Sequence, residues 1–302
     1  MSAETGSSPQ TAADGRPRGQ AVLDDLVALL DLERLEDNLF RGVSPPESLP
    51  RVFGGQVAAQ ALVAAGRTVP EDRGVHSLHA YFIRPGDPSI PIVYETERVR
   101  DGRSFTTRRV LAIQRGEPIF ALSASFQMAQ EGLVHSEPMP LGLPGPDDVE
   151  DLGERALRGD GGWLANLPRP LDIRLIDEPI WSQRRTGASD EPMRLWLRAD
   201  GVLPADPLLH VCLLTYASDL TLLGSVVARH DVPSTGIQMA SLDHAMWFHE
   251  PFRADEWLLY ECFSPAASGG RGLGSGRFFT ADGRLVATTM QEGLVRLPKA
   301  SG

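Results

Sequence analysis

Cysteine is scarce in this 302-residue chain: Cys212 and Cys262 are the two present, and they form no CxxC pair. Two separated cysteines give no disulfide framework and suit a reducing compartment, so a cytoplasmic location is expected. Lysine is scarcer still: of 29 basic residues all but Lys299 are arginine, which fits the codon bias of a GC-rich genome. No apolar run approaches the ~20 residues that a membrane helix needs, so no membrane span is expected. The start, MSAETGSSPQTAADGRPRGQ, has no apolar stretch of the secretory kind and reads as a disordered tail over 1–20. The end, RLPKASG, is not a peroxisomal tripeptide. There is no GxSxG elbow, no HExxH and no Cys/His cluster, so neither a Ser-His-Asp hydrolase nor a metal site is expected. A net charge of −11 argues against nucleic acid as a partner.

What is present is an internal repeat. The segment 79–127 returns, with few identities, as 245–293: Pro85 matches Pro251, Tyr94-Glu95 matches Tyr260-Glu261 and Gly116 matches Gly283, at a spacing near 166. An apolar helix precedes each copy, at 52–69 and at 206–230. Strands are predicted at 75–83, 91–100, 104–115 and 118–127, and again at 194–199, 242–249, 256–263, 272–280 and 284–297. Asp101-Gly102, Arg115-Gly116 and Asp282-Gly283 are hairpin turns joining antiparallel strands. The pattern predicts an α+β fold, each half a long helix against an antiparallel sheet, over 21–130 and 191–302. The Pro-, Gly- and acid-rich stretch 131–190 reads as a crossing linker with one short helix at 148–158.

One residue breaks the helical pattern. The segment 206–230 is apolar almost all the way round, yet Asp219 falls in its middle. A carboxylate among aliphatic neighbours costs several kcal/mol unless it is paired. Such an acid is either catalytic or a satisfied core aspartate, and this position alone leaves both open. The run GGRGLGSG at 269–276 suggests a nucleotide loop, but it fails GxGxxG and falls among strands. His76, His79, His244 and His249 read as packing or hydrogen-bonding residues.

The ordered motifs LFRG (39–42), VFGGQVAAQAL (52–62), YFIRPGD (81–87), RDGRSF (100–105), ALSASFQ (121–127), YASDL (216–220), LDHAMWFHEPFRADEWLLY (242–260) and VATTMQEGLVR (286–296) make the chain resemble the type II acyl-CoA thioesterases from about Leu23 to Leu297. The resemblance implies a double hotdog, two fused units each with a central helix wrapped by an antiparallel sheet. It implies an acyl-CoA substrate, no cofactor, and association into homo-oligomers. It also implies a water held by an aspartate, a hydroxyl residue and a glutamine of the second unit. These fall on Asp219 in YASDL, Ser241 just before LDHAMWFH, and Gln291 in TTMQEG. Asp219 would serve as general base, with Ser241 and Gln291 orienting the water. The first unit offers no counterpart of Asp219, so one active site per chain is expected. For the coenzyme A phosphates the candidate patch is Arg98, Arg100, Arg103, Arg108 and Arg109. Strand alternation prevents all five from reaching one ligand, and a solvated face is the alternative. A hotdog hydratase or dehydratase and a non-catalytic acyl-CoA-binding protein are the competing functions.

Overall fold

The computed structural model describes residues 10–45, 50–162, 164, 169–182, 185–232 and 236–297. Two short strands, β1 (Gln10–Thr11) and β2 (Pro17–Arg18), lead into helix α1 (Gln20–Leu30). The first half then runs β3 (Glu33–Glu36), β4 (Leu39–Gly42), α2 (Gly54–Gly66), β5 (Arg73–Phe82), β6 (Ile92–Asp101), β7 (Phe105–Gln114) and β8 (Glu117–Met128). Helix α3 (Leu152–Leu157) and β9 (Leu171–Leu175) follow. The second half holds β10 (Met193–Ala199), α4 (Pro207–Ser218), α5 (Gly224–Ala228), β11 (Gln238–Ser241), β12 (Asp243–Phe248), β13 (Leu258–Ser268), β14 (Arg271–Thr280) and β15 (Leu285–Arg296).

Among the described residues, β3 to β15 form one 13-stranded antiparallel sheet, ordered β3-β4-β6-β7-β8-β5-β12-β15-β14-β13-β10-β9, with β11 also on β15. The halves join where β5 pairs with β12, from Tyr81 opposite Asp243 to Ser77 opposite Trp247. The hairpin turns fall where the sequence puts them. Arg115 (φ 50°) and Gly116 (φ 77°) both take the left-handed backbone that a two-residue primed turn needs.

Helix α2 is buried from Gly55 to Ala65, as a central helix must be. Its two glutamines are satisfied inside: the Tyr94 hydroxyl donates to Gln60 Oε1 at 2.7 Å, and Gln60 Nε2 donates to the Leu29 carbonyl at 2.8 Å. Helices α2 and α4 lie side by side and antiparallel. A Cβ on Gly55 would meet the Tyr216 carbonyl, and one on Gly66 would meet the Leu208 side chain. The start of α2 therefore faces the end of α4.

The structure departs from the sequence reading in three places. The helix expected over 206–230 is broken: α4 ends at Ser218, Asp219 is its C-cap (φ −84°, ψ −4°), and α5 begins at Gly224. Side chains take the last carbonyls of α4. Ser218 Oγ donates to the Thr215 carbonyl at 2.8 Å, and the Tyr260 hydroxyl donates to the Ser218 carbonyl at 3.0 Å. The apolar pattern continues because 220–228 packs on the sheet. Gly272, Gly274 and Gly293 leave room for Val226, Leu222 and Leu223, any of which a Cβ would strike at 3.0 Å or less.

Second, the tail expected over 1–20 is docked from Gln10 onward. Arg18 pairs with Asp200 at 2.8 Å, Asp151 at 3.3 Å and Asp172 at 3.5 Å, the Gly19 N–H donates to Asp200, and Arg169 pairs with Asp14. Residues 1–9 of that tail lie outside the described residues. Third, the linker contributes to the fold. Its helix is α3, closed by an Asp151/Glu154 capping box, and its β9 pairs with β10. Met139, Leu143 and Val149 pack on Trp196, Leu259 and Phe279, covering the outer face of the second half's sheet.

Candidate active site

Asp219, Ser241 and Gln291 converge. Ser241 Oγ donates to Asp219 Oδ1 at 3.1 Å, Gln291 Nε2 donates to the same oxygen at 2.5 Å, and Gln291 Nε2 lies 2.8 Å from Ser241 Oγ. Three elements deliver them: the end of α4, the end of β11, and the middle of β15. Ser241 pairs with Gly293, which brings β11 to the strand that carries Gln291. The Gln291 amide has one possible orientation here, because its nitrogen alone can donate to a carboxylate. Its Oε1 is then left buried and without a partner.

The setting of Asp219 is unusual for an acid. Burial pushes its carboxyl up to about 6, against the lowering effect of hydrogen bonds from Gln291, Ser241 and the Gly55 N–H. The last of these comes from the other half of the chain. Phe53, the N-cap of α2, provides no side-chain cap, and the Gly55 N–H of the first turn is taken by Asp219. Gly54 and Gly55 make the approach possible: a Cβ on Gly54 would lie 2.6 Å from Asp219 Oδ2, and one on Gly55 would lie 2.4 Å from the Tyr216 carbonyl. Within the motif VFGGQVAAQAL (52–62), the sequence alone assigns these two glycines no role. The double glycine at a helix start was the visible signal, and its meaning depends on what packs against it.

Among the described residues, the corresponding positions of the first half hold no matching set. Val75 pairs with Phe126 as Ser241 pairs with Gly293, and both Phe126 and Gly293 stand ten residues past the turn glycine of their hairpin. By the same register Ala124 occupies the place of Gln291. A valine and an alanine cannot hold a water for chemistry.

The arginine patch is not brought to Asp219. Arg108 is 1 % exposed, with its donors spent on Thr68, Asp101 and the carbonyls of Arg100 and Thr107. It is a structural residue, a correction to its place among the ligand candidates. Arg109 faces Glu97 at 4.0 Å, and Arg98 donates to Asn38 at 2.8 Å. Arg100 and Arg103 are exposed near the turn. Thr68, which holds Arg108, follows the last turn of α2, whereas Asp219 meets the first. The 13 residues of α2 separate the two by roughly 20 Å.

Among solved structures, a protein with hot dog fold from Alicyclobacillus acidocaldarius is similar to 91% of this chain and 98% of its own, with a TM-score of 0.73 and 23% identity. That likeness speaks for the fold, which is a hotdog. The profile described as acyl-CoA thioesterase matches residues 170–294, and that of the acyl-CoA thioesterase N-terminal domain matches residues 45–127. The chain belongs to the type II acyl-CoA thioesterase family. It is 41% identical to human acyl-coenzyme A thioesterase 8 over 96% of this chain and 97% of the relative. It is 38% identical to acyl-CoA thioesterase 2 of Haemophilus influenzae over 91% and 98%. The structure of an acyl-CoA thioesterase II, TesB2, from Mycobacterium marinum covers 91% of this chain and 99% of its own at 47% identity, with a TM-score of 0.76.

Proposed function

We propose that the protein hydrolyses fatty acyl-CoA to a free fatty acid and coenzyme A, using water oriented by Asp219, Ser241 and Gln291. The observation that carries this is the convergence of Ser241 and Gln291 on one oxygen of a carboxylate held at about 6. A thioester carbonyl is already electrophilic and its thiolate leaves readily, so the reaction needs an aimed water more than a covalent nucleophile. Asp219 accepts a proton from that water as the oxygen attacks the carbonyl carbon. The partnerless Gln291 Oε1 is an acceptor for the water's other proton. The negative charge that develops on the carbonyl oxygen is met by an N–H group at the start of α2 other than that of Gly55, which holds Asp219, with the favourable end of the helix dipole. Collapse breaks the C–S bond, releasing the thiolate, which takes up a proton.

Several features support this reading over the alternatives. A hydratase would use an Asp/His pair, but His244 turns to Ser218 rather than to Asp219. In this reading each half is one unit of a double hotdog, fused through β5 and β12, with the first supplying amides and channel wall and the second the reacting groups. The reading keeps the cytoplasm as location, supported by two free, buried thiols, and keeps association of chains as an expectation from the family. Arg100 and Arg103 stay as candidates for the coenzyme A phosphates. The test is release of free thiol from acyl-CoAs of graded chain length, with hydration of an enoyl-CoA followed in parallel. Binding without thiol release would establish the binding-protein reading instead.

A further inference from the structure

Beneath the reacting groups lies a second layer of buried polar side chains. His244, on β12, is 1 % exposed. Its Nε2 lies 2.8 Å from Ser218 Oγ and 3.4 Å from Thr289 Oγ1. Ser218 directly precedes Asp219, and Thr289 is two residues before Gln291 on the same face of β15. His244 itself follows Ser241 by three residues. One imidazole thus touches the two elements that carry Asp219 and Gln291, from the strand that continues the one carrying Ser241.

The partners fix its proton. Ser218 Oγ donates to the Thr215 carbonyl at 2.8 Å, and Thr289 Oγ1 donates to the Ala245 carbonyl at 3.0 Å. Both hydroxyl protons are therefore spent, and the remaining donor to these oxygens is His244 Nε2–H. The ring is then neutral with Nδ1 bare, and Nδ1 is indeed buried without a partner. Burial disfavours a second proton and pushes this histidine down to about 4, so the ring stays neutral.

We infer that His244 is a positioning residue for the hydrolysis: as a neutral Nε2–H donor it locks the end of α4 to β15, so that Gln291 and Ser241 both reach Asp219 Oδ1. The inference rests on the proposed role of Asp219 and adds a residue to it. Around this layer, Ser218 and Asp219 come from α4, Ala80 stands opposite His244 on β5, and Tyr260 from β13 reaches the Ser218 carbonyl. Among the described residues, the hydrogen-bond partners of His244 are the neutral hydroxyls of Ser218 and Thr289. The lock therefore works by geometry, not by charge.

The test compares His244→Phe, His244→Gln and Ser218→Ala with the wild-type chain, measuring kcat and KM separately across pH. His244→Phe and Ser218→Ala are expected to lower kcat roughly 10- to 100-fold, the usual effect of a misplaced reacting group, with KM unmoved. The acid limb of kcat should also move to higher pH, because Asp219 loses the bonds that hold its carboxyl down. His244→Gln, which keeps a donor at the same reach, should recover most of the rate. Wild-type kcat in Ser218→Ala, an unmoved acid limb, or a His244→Gln variant as slow as His244→Phe would overturn the inference. Ser218→Ala decides alone if His244→Phe does not fold. Asp219→Asn is run beside them: full activity there removes the general-base reading and this inference together. An inactive Asp219→Asn beside an unaffected Ser218→Ala removes this inference only.

Discussion

The Gly55 N–H and the Asp219 carboxylate meet across the two halves of the chain, a helix start from one half against a helix end from the other. The proposed base is thus held by backbone that the opposite half supplies. The predictions below follow from this contact and from the elements that hold it.

Asp219→Asn should keep the fold and lower kcat by about 10²–10⁴-fold, the range of a general-base contribution. In the wild-type protein the working form is the carboxylate. With the carboxyl at about 6, kcat should be level above that pH and fall toward tenfold per unit below it. Steady-state rates from pH 4.5 to 8.5 on a saturating acyl-CoA check both statements, and a flat profile would remove Asp219 as base.

The same residue has the opposite effect on stability. Its carboxyl is raised on folding, so the folded chain holds this proton more tightly than the unfolded chain does. Stability from this group is present below its unfolded value near 4 and is lost as pH rises through about 6. At pH 7 the charged acid therefore costs stability, on the order of 1–3 kcal/mol. Asp219→Asn should melt at or above the wild-type Tm at pH 7, and the gap should close as the pH falls to 4.

Gly54→Ala would place a Cβ 2.6 Å from Asp219 Oδ2 and 2.8 Å from the Phe82 ring. Loss of roughly 100-fold in kcat is expected from the displacement of the acid. Gly74→Ala, where a Cβ meets nothing within 4 Å, should leave kcat unchanged.

Arg18→Ala should destabilise the protein. It removes a guanidinium shared by Asp151, Asp172 and Asp200, and Asp172 is 2 % exposed. Arg174 and Arg198 also reach Asp172, at 3.3 and 3.6 Å, which limits the cost to roughly 1–3 kcal/mol. Thermal unfolding of the variant should show a lower Tm, and an unchanged Tm would mean that the arm around Arg18 adds nothing.

Titration with a tight-binding, non-hydrolysable acyl-CoA analogue should give about one site per chain. Val75 and Ala124 stand where Ser241 and Gln291 stand in the second half. Two sites per chain would contradict that asymmetry.

Much of the sheet was legible because hairpins announce themselves locally. Arg115-Gly116 needs left-handed backbone, and the alternation around it sets both strands. The acid stands out as a carboxylate in an apolar pattern, whereas the hydroxyl and the amide come from resemblance alone, since Ser241 and Gln291 carry no signal of their own. The end of α4 was hidden because 220–228 stays apolar while packing on a glycine-lined sheet face rather than continuing a helix. Alternation puts Arg108 on the same face as Val110 and Ala112 but could not show its partner Thr68, and no local pattern shows that Arg18 meets carboxylates more than 130 residues along the chain.

Because the proposed base leans on the other half's backbone, the two halves answer to different kinds of constraint. In the second, the proposed chemistry limits substitution: an acid, a hydroxyl and an amide would have to remain. In the first, it is limited by emptiness, since Gly54 and Gly55 serve by having nothing beyond the main chain. On the proposed mechanism, a change there should slow the reaction without altering any group that reacts, and neither half expressed alone should carry it out.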